Sequence, residues 1–383
     1  MELSIDRKTL LNSINIALLF SANALTWVLM LDNSIVAIMA ICAVIFVAVN
    51  KSLFKPRVLP LIAFLLTCFL VSFLTSSGNI ALHKYFIEFL MFGCVSLFLS
   101  QTRFDINTII TSLCFISIPL VPFIIRIDLL GGADYGQWMG ISYGSLKFIL
   151  ALFYAILFIP YKQRWIKFVY SGALLYYVYL FLTIASRGAV LGIFVFFVLS
   201  YLIKRDYSLQ KSLVIIAIAS VVLYVFFIPI IEFILGLLGG NRLDFYALEK
   251  IVYYSAVGRL DNGRILRVED GLRMFTSSPL LGNGIAAFER QYQIGYVHNL
   301  FVQQLLEGGL VLFLPLTAIL LVSMYLILSN RIAPTIRLFV SYLFCCNVVG
   351  LLFSDYYWRN QGYWFLIGYS LFLLKLLKRT KHG

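Results

Sequence analysis

Residues 212–238 read SLVIIAIASVVLYVFFIPIIEFILGLL, and the only charge in the run is Glu232. A helix needs about 20 apolar residues to cross ~30 Å of hydrocarbon, and this run exceeds that. It is not isolated. Comparable runs place helices near 13–31, 34–49, 58–75, 85–100, 107–125 and 146–160, then near 168–185, 188–203, 300–328, 335–353 and 361–377. The reading is an all-α polytopic membrane protein of about twelve spans. Composition agrees: 62% of the 383 residues are hydrophobic and 12% charged, too little polar surface for a water-facing fold. A transmembrane barrel would alternate apolar and polar residues, whereas these runs are unbroken.

The basic residues orient the spans, because Lys and Arg are retained on the cytoplasmic side of short loops. One side collects Arg7 and Lys8, then Lys51, Lys55 and Arg57, Arg103, Lys162 to Lys167, Lys204 to Lys211, Arg331, Arg337, and finally Lys375 to Lys381. Both termini are therefore expected in the cytoplasm, and the net charge of +13 reads as topology rather than as a nucleic-acid footprint. All six cysteines fall within expected spans, so neither a disulfide framework nor a thiolate metal site is expected. The chain divides into spans 1–9 over 1–238, a large external loop over 239–298, and spans 10–12 with a cytoplasmic tail over 299–383.

Within the loop, apolar residues at Leu243, Tyr246, Ile251 and Tyr254 suit a helix lying on the membrane surface. A turn at Asp261-Asn262-Gly263 leads into a second helix with a stripe of Ile265, Val268, Leu272 and Phe275, and Asn262 is positioned to cap it. Ser277, Ser278 and Pro279 end that helix, and Gly282 to Gly284 make a turn before Val297, His298 and Asn299.

Chemistry belongs on the external side, since the cytoplasmic loops are short. Arg187 breaks the charge pattern at the outer end of a span, where a costly intramembrane charge is a candidate for function; lipid-facing snorkelling is the alternative. Arg264 and Arg267 lie one turn apart at the start of a helix, and fixed guanidinium donors beside a positive dipole end suit a phosphate oxyanion. The alternative is a solvated face balanced by Glu269 and Asp270. His298 is the sole histidine of the large loop, and the helix start behind it disfavours the imidazolium, leaving a neutral ring able to accept a proton. His298 or Asn299 could equally cap that helix. His83 is a weaker second candidate. Glu307, nine residues after His298, falls on nearly the opposite helix face, so with Gly308 and Gly309 it reads as an interior polar anchor at a close helix contact.

In order, Ser186-Arg187-Gly188-Ala189, Gly263-Arg264-Ile265, Pro279-Leu280-Leu281-Gly282-Asn283-Gly284, His298-Asn299 and Glu307-Gly308-Gly309 resemble the O-antigen ligase and polymerase superfamily. That resemblance implies a GT-C-like membrane protein with a large periplasmic loop between spans nine and ten, in the bacterial inner membrane. It implies transfer of a glycan from undecaprenyl diphosphate to an acceptor hydroxyl, with no metal or other cofactor. Its two arginines and its histidine fall on Arg187, Arg264 and His298. Arg259 and Arg267 lie close enough to Arg264 to exchange roles with it, and Asn299 and Arg359 join them as substrate-binding candidates. The acceptor is lipid A-core for a ligase, or a second lipid-linked glycan for a polymerase. The turn Ser354-Asp355-Tyr356-Tyr357-Trp358-Arg359 resembles a ligase turn, and its aromatics are expected to stack on core sugars while Arg359 meets a phosphate. A flippase or transporter, or a membrane scaffold, would share the span count without the ordered Arg, Arg and His motifs.

Overall fold

A computed structural model describes residues 5–29, 34–50, 57–75, 79–129, 135–184, 187–237, 252–253, 255–256, 263–293, 295–353 and 355–379. The long helices are α1 (Arg7–Leu29), α2 (Ser34–Asn50), α3 (Leu59–Thr75), α4 (Ile80–Leu99), α5 (Ile106–Leu129), α6 (Tyr135–Phe158), α7 (Arg164–Ile184), α8 (Arg187–Arg205) and α9 (Leu209–Leu237). After the loop residues come α10 (Arg264–Ser277), the short α11 (Ala287–Tyr292), α12 (Leu300–Leu328), α13 (Pro334–Leu351) and α14 (Gln361–Arg379). No strand occurs among the described residues. Each run marked as a span in the sequence is a helix. Eight are long and apolar enough to cross a membrane by length and composition, and α2, α3 and α14 are shorter apolar helices. α7 is 21 residues long but carries Arg164, Lys167 and several tyrosines. The protein is an all-α multi-pass membrane protein.

One boundary moves in a way that matters. The span expected to begin near 146 begins at Tyr135. Gly136, Gln137, Gly140, Ser142 and Gly144 depress the hydropathy of its first turns and make them resemble loop, but Ile141, Ser142 and Ser145 are buried against the bundle. Packing, not local propensity, holds those turns helical. The break between α7 and α8 is present, with residues 185–186 outside the described set.

The termini share one end of the bundle, where Lys8 and Thr9 of α1, Asn50 of α2, Arg103 and Phe372 line a common cavity. At that end Arg337 is buried, donates from Nε to the Ile327 carbonyl at 2.9 Å and pairs with Asp206 at 2.7 Å. This arginine, counted in the sequence as a topology mark, is thereby a structural tie. At the opposite end α10 and α11 lie against the first turns of α12, with Met274, Phe288, Val297, Val302 and Leu306 forming a small second core. Gly271 makes this approach possible: a Cβ there would stand 2.8 Å from Val302 Cγ1.

α12 is broken within the bilayer length. Gly309 has φ 57° and ψ −156°, a combination open essentially to glycine, and it interrupts the helix. The backbone groups freed by the break are met by the turn after α10. Asn283 and Gly284 donate their N–H groups to the carbonyls of Leu306 and Glu307 at 2.7 and 3.0 Å, while Leu310 and Val311 donate to Pro279 and Leu280 at 2.9 and 3.2 Å. Gly282, at φ 71°, crosses so close that a Cβ would lie 2.5 Å from the Glu307 carbonyl carbon. The Pro279–Gly284 and Glu307–Gly309 motifs are two halves of one backbone clamp, which satisfies polar groups that lipid could not.

Candidate active site

His298 sits between this clamp and the start of α12. Its backbone is left-handed, φ 64°, an uncommon state for a residue with a side chain and one that turns the ring out of the path of the helix. Asn299 caps α12, its Oδ1 accepting from the N–H groups of Phe301 and Val302 at 3.1 Å each. That leaves the imidazole free of the capping role left open by the sequence, and commits the Asn299 oxygen to structure. The ring lies against Tyr296, with centroids 4.3 Å apart. Nδ1 is enclosed and takes no hydrogen bond, and the ring as a whole is half-buried.

Burial first, then the positive charges of Arg264 and Arg267, push the His298 pKa down from 6.5 to about 4. Burial and the two arginines, rather than the helix dipole expected from the sequence, hold the ring neutral. The arginines are close because Arg267 stands one turn before Gly271, the residue that lets α10 pack on α12. Neither Arg264 nor Arg267 makes an ion pair among the described residues. Asp270, expected as a balancing charge, pairs instead with Arg273 at 3.7 Å. The first helical turn of α10 follows Gly263, at φ 74°, in place of the expected Asn262 cap, and Asn262 lies outside the described residues.

Glu307 is more than an interior anchor. Its carboxylate accepts from Tyr356 Oη at 2.8 Å, Gln303 Nε2 at 2.6 Å, Tyr357 Oη at 2.6 Å and Trp358 Nε1 at 3.0 Å. A buried carboxylate needs such saturation, and these four side-chain donors supply it together with the Ala286 N–H at 3.4 Å. Gln303 also accepts from the Val297 N–H at 2.9 Å. Glu307 thus reaches the His298 segment through Gln303, although its own face of the helix points elsewhere. This overturns one expectation: Tyr356, Tyr357 and Trp358 are buried and serve Glu307, so they offer no stacking surface to a sugar. Sequence spacing could not show this, because the donors lie some fifty residues away from the acceptor.

Arg359 remains half-exposed and is bound to Asp355, Nε to Oδ1 and Nη2 to Oδ1 both at 2.9 Å. It opens on a cavity of about 840 Å³ that runs into the bundle past Lys84, Glu88, Tyr143, Lys147 and Asn347. Tyr296 and Asp355 line both this cavity and the crevice at His298, so the two adjoin. Arg187 begins α8; its side chain is outside the described residues, but a Cβ on its neighbour Gly188 would lie 2.6 Å from the Tyr143 hydroxyl on the cavity wall. Arg259, the helix expected over 241–255 apart from two short fragments, Ser354 and His382 also lie outside the described residues. His83 is set apart on α4, its Nδ1 2.9 Å from the Asn79 carbonyl and its ring against Phe73. No group of three His, Cys, Asp or Glu side chains that could hold a metal ion occurs among the described residues.

No curated protein and no solved structure matches the chain. The family model described as O-Antigen ligase does match, over residues 172–317, a stretch that runs from α7 through the broken part of α12 and includes Arg187, Arg264, Arg267, His298 and Glu307. Over these residues the chain is similar to the O-antigen ligase family.

Proposed function

We propose that the protein transfers a glycan from undecaprenyl diphosphate to a sugar hydroxyl of lipid A-core, on the periplasmic side of the bacterial inner membrane and without a metal. The observation that carries this reading is the half-buried, neutral His298 beside two arginines that lack ion-pair partners among the described residues. In the reaction the acceptor oxygen bonds to the anomeric carbon as the bond from that carbon to the diphosphate oxygen breaks. Undecaprenyl diphosphate leaves with the electron pair, and His298 takes the hydroxyl proton. Arg264 and Arg187 neutralise charge on the departing diphosphate, with Arg267 or Arg259 able to share that work. A base of pKa about 4 is weak in the free protein. A bound diphosphate offsets the arginine charges that depress it, so basicity rises once the donor is in place.

The ligase reading over the polymerase reading rests on the Asp355–Arg359 turn, where Arg359 meets the cavity and can bind a core phosphate. The test is a deletion strain complemented with the wild type or with His298→Ala. The strain should accumulate long lipid-linked polymer, with none on lipid A-core, and only the wild type should restore transfer. Core bearing a single repeat unit would identify a polymerase. Normal ladders with His298→Ala would remove the histidine from the chemistry.

A further inference from the structure

Lys147 lies twelve residues into α6, about 18 Å along the helix axis, within the apolar segment Ile141–Phe158. A lysine at that depth is costly and is normally paired. Here the ammonium makes no hydrogen bond and no ion pair among the described residues. The Cys346 thiol and the Asp355 carboxylate are the titratable groups that act on it, and Asp355 is already committed to Arg359.

The surroundings supply what a ligand would need. Lys147 lines the 840 Å³ cavity one helical turn below Tyr143, and Tyr143 is the residue against which Gly188, next to Arg187, packs. Asn347, 3% exposed, borders the same cavity; its Nδ2 donates to the Leu343 carbonyl at 2.8 Å, and its Oδ1 takes no hydrogen bond and is open to a sugar hydroxyl rather than to a phosphate oxygen. The α2 and α4 side is mixed: Lys84 and Glu88 of α4 are charged, whereas Ile35 and Val36 of α2 and Ile87 and Met91 of α4 form an apolar strip in which Val36 and Ile87 are 43% and 54% exposed. The Lys147 wall is thus cationic, while the other carries, beside Lys84 and Glu88, an apolar strip continuous with the surface that meets lipid. A soluble anion would use only the first wall. A phosphate attached to a long hydrocarbon chain would use both.

We propose that Lys147 is an oxyanion-binding residue inside the membrane that receives a phosphate group of a lipid-linked diphosphate, whose hydrocarbon chain leaves the cavity between α2 and α4. This rests on the proposed function in naming the diphosphate, and it adds a cation from α6, outside residues 172–317, beneath the arginines. The ligand compensates the unpaired ammonium, and the ammonium fixes how far the donor descends beside His298.

Binding of undecaprenyl diphosphate, free pyrophosphate and phosphatidylglycerol to the full chain in nanodiscs tests this, for the wild type and Lys147→Met. The wild type should bind undecaprenyl diphosphate. Lys147→Met should bind it roughly 10- to 100-fold more weakly, the loss of one charge-assisted hydrogen bond, with phosphatidylglycerol unaffected and free pyrophosphate a poor competitor. Unchanged affinity in Lys147→Met overturns the inference and leaves the proposed function standing. Absence of undecaprenyl diphosphate binding to the wild type overturns both. Equal loss of phosphatidylglycerol, or full competition by free pyrophosphate, overturns the assignment to a lipid-linked diphosphate. Should Lys147→Met fail to fold, Lys147→Gln carries the same comparison.

Discussion

His298 should remain uncharged in the folded, donor-free protein until the pH falls close to 4, more than two units below an ordinary histidine. The perturbation that tests the cause is the pair Arg264→Gln and Arg267→Gln. Burial is the largest contribution, followed by Arg264 and then Arg267. Removing both charges should therefore raise the midpoint while leaving it below 6.5, and Arg264→Gln alone should do more than Arg267→Gln alone. Undecaprenyl diphosphate should move the wild-type midpoint in the same direction, because its negative charge cancels the same two cations.

The readout is the ring carbon shift of 13C-labelled histidine in nanodiscs, where only three histidines contribute and His298→Gln assigns the signal. Linkage gives the matching sign for stability. Between pH 6.5 and about 4 the unfolded chain takes up a proton at this residue and the folded chain does not, so this part of the stability is full above 6.5 and falls as the pH drops. His298→Gln should flatten that slope. A wild-type midpoint at or above 6.5, or a double variant with an unchanged midpoint, would show that burial and the two arginines do not hold the ring neutral.

Gly309→Ala should abolish folding or membrane insertion, since its Cβ would stand 2.4 Å from the Leu280 backbone at a φ of 57°; a folded variant with a normal melting temperature would show that the clamp can relax. Glu307→Leu strands four donors among buried side chains and should cost ~3 kcal/mol or more in denaturant titrations, with loss of transfer because Gln303 no longer holds Val297. Asn299→Ala should cost about 1 kcal/mol through loss of the α12 cap and leave the affinity for undecaprenyl diphosphate within about twofold, whereas a large affinity loss at unchanged stability would return Asn299 to substrate binding.

The spans were legible because their signal is local: a run such as 212–238 has one physical solution in a bilayer. The candidate residues were legible as types, and the structure brings His298 under the charges of Arg264 and Arg267. What the sequence hid depends on contacts between distant segments. Glu307 saturates itself with donors from residues 356–358, and those aromatics looked like a sugar platform until the carboxylate was seen to hold them. The Pro279–Gly284 and Glu307–Gly309 motifs were each readable as flexible glycine turns, yet they form one clamp only because each supplies the backbone groups that the other lacks.

Lys147 shows how a boundary alters chemistry. With α6 beginning near 146, this lysine is a terminal charge that snorkels to the headgroups at little cost. With α6 beginning at Tyr135 the same lysine lies twelve residues inside the helix, where an unpaired ammonium is tolerated only if something completes it. The turns that decide between these two states are rich in glycine and hydroxyl residues, which suit close helix packing in a membrane as well as they suit a loop. Their helicity comes from Ile141, Ser142 and Ser145 being buried against neighbouring helices, and that burial has no counterpart in local hydropathy. A lysine at the edge of an apolar run can therefore stand well inside a helix once packing sets where that helix begins.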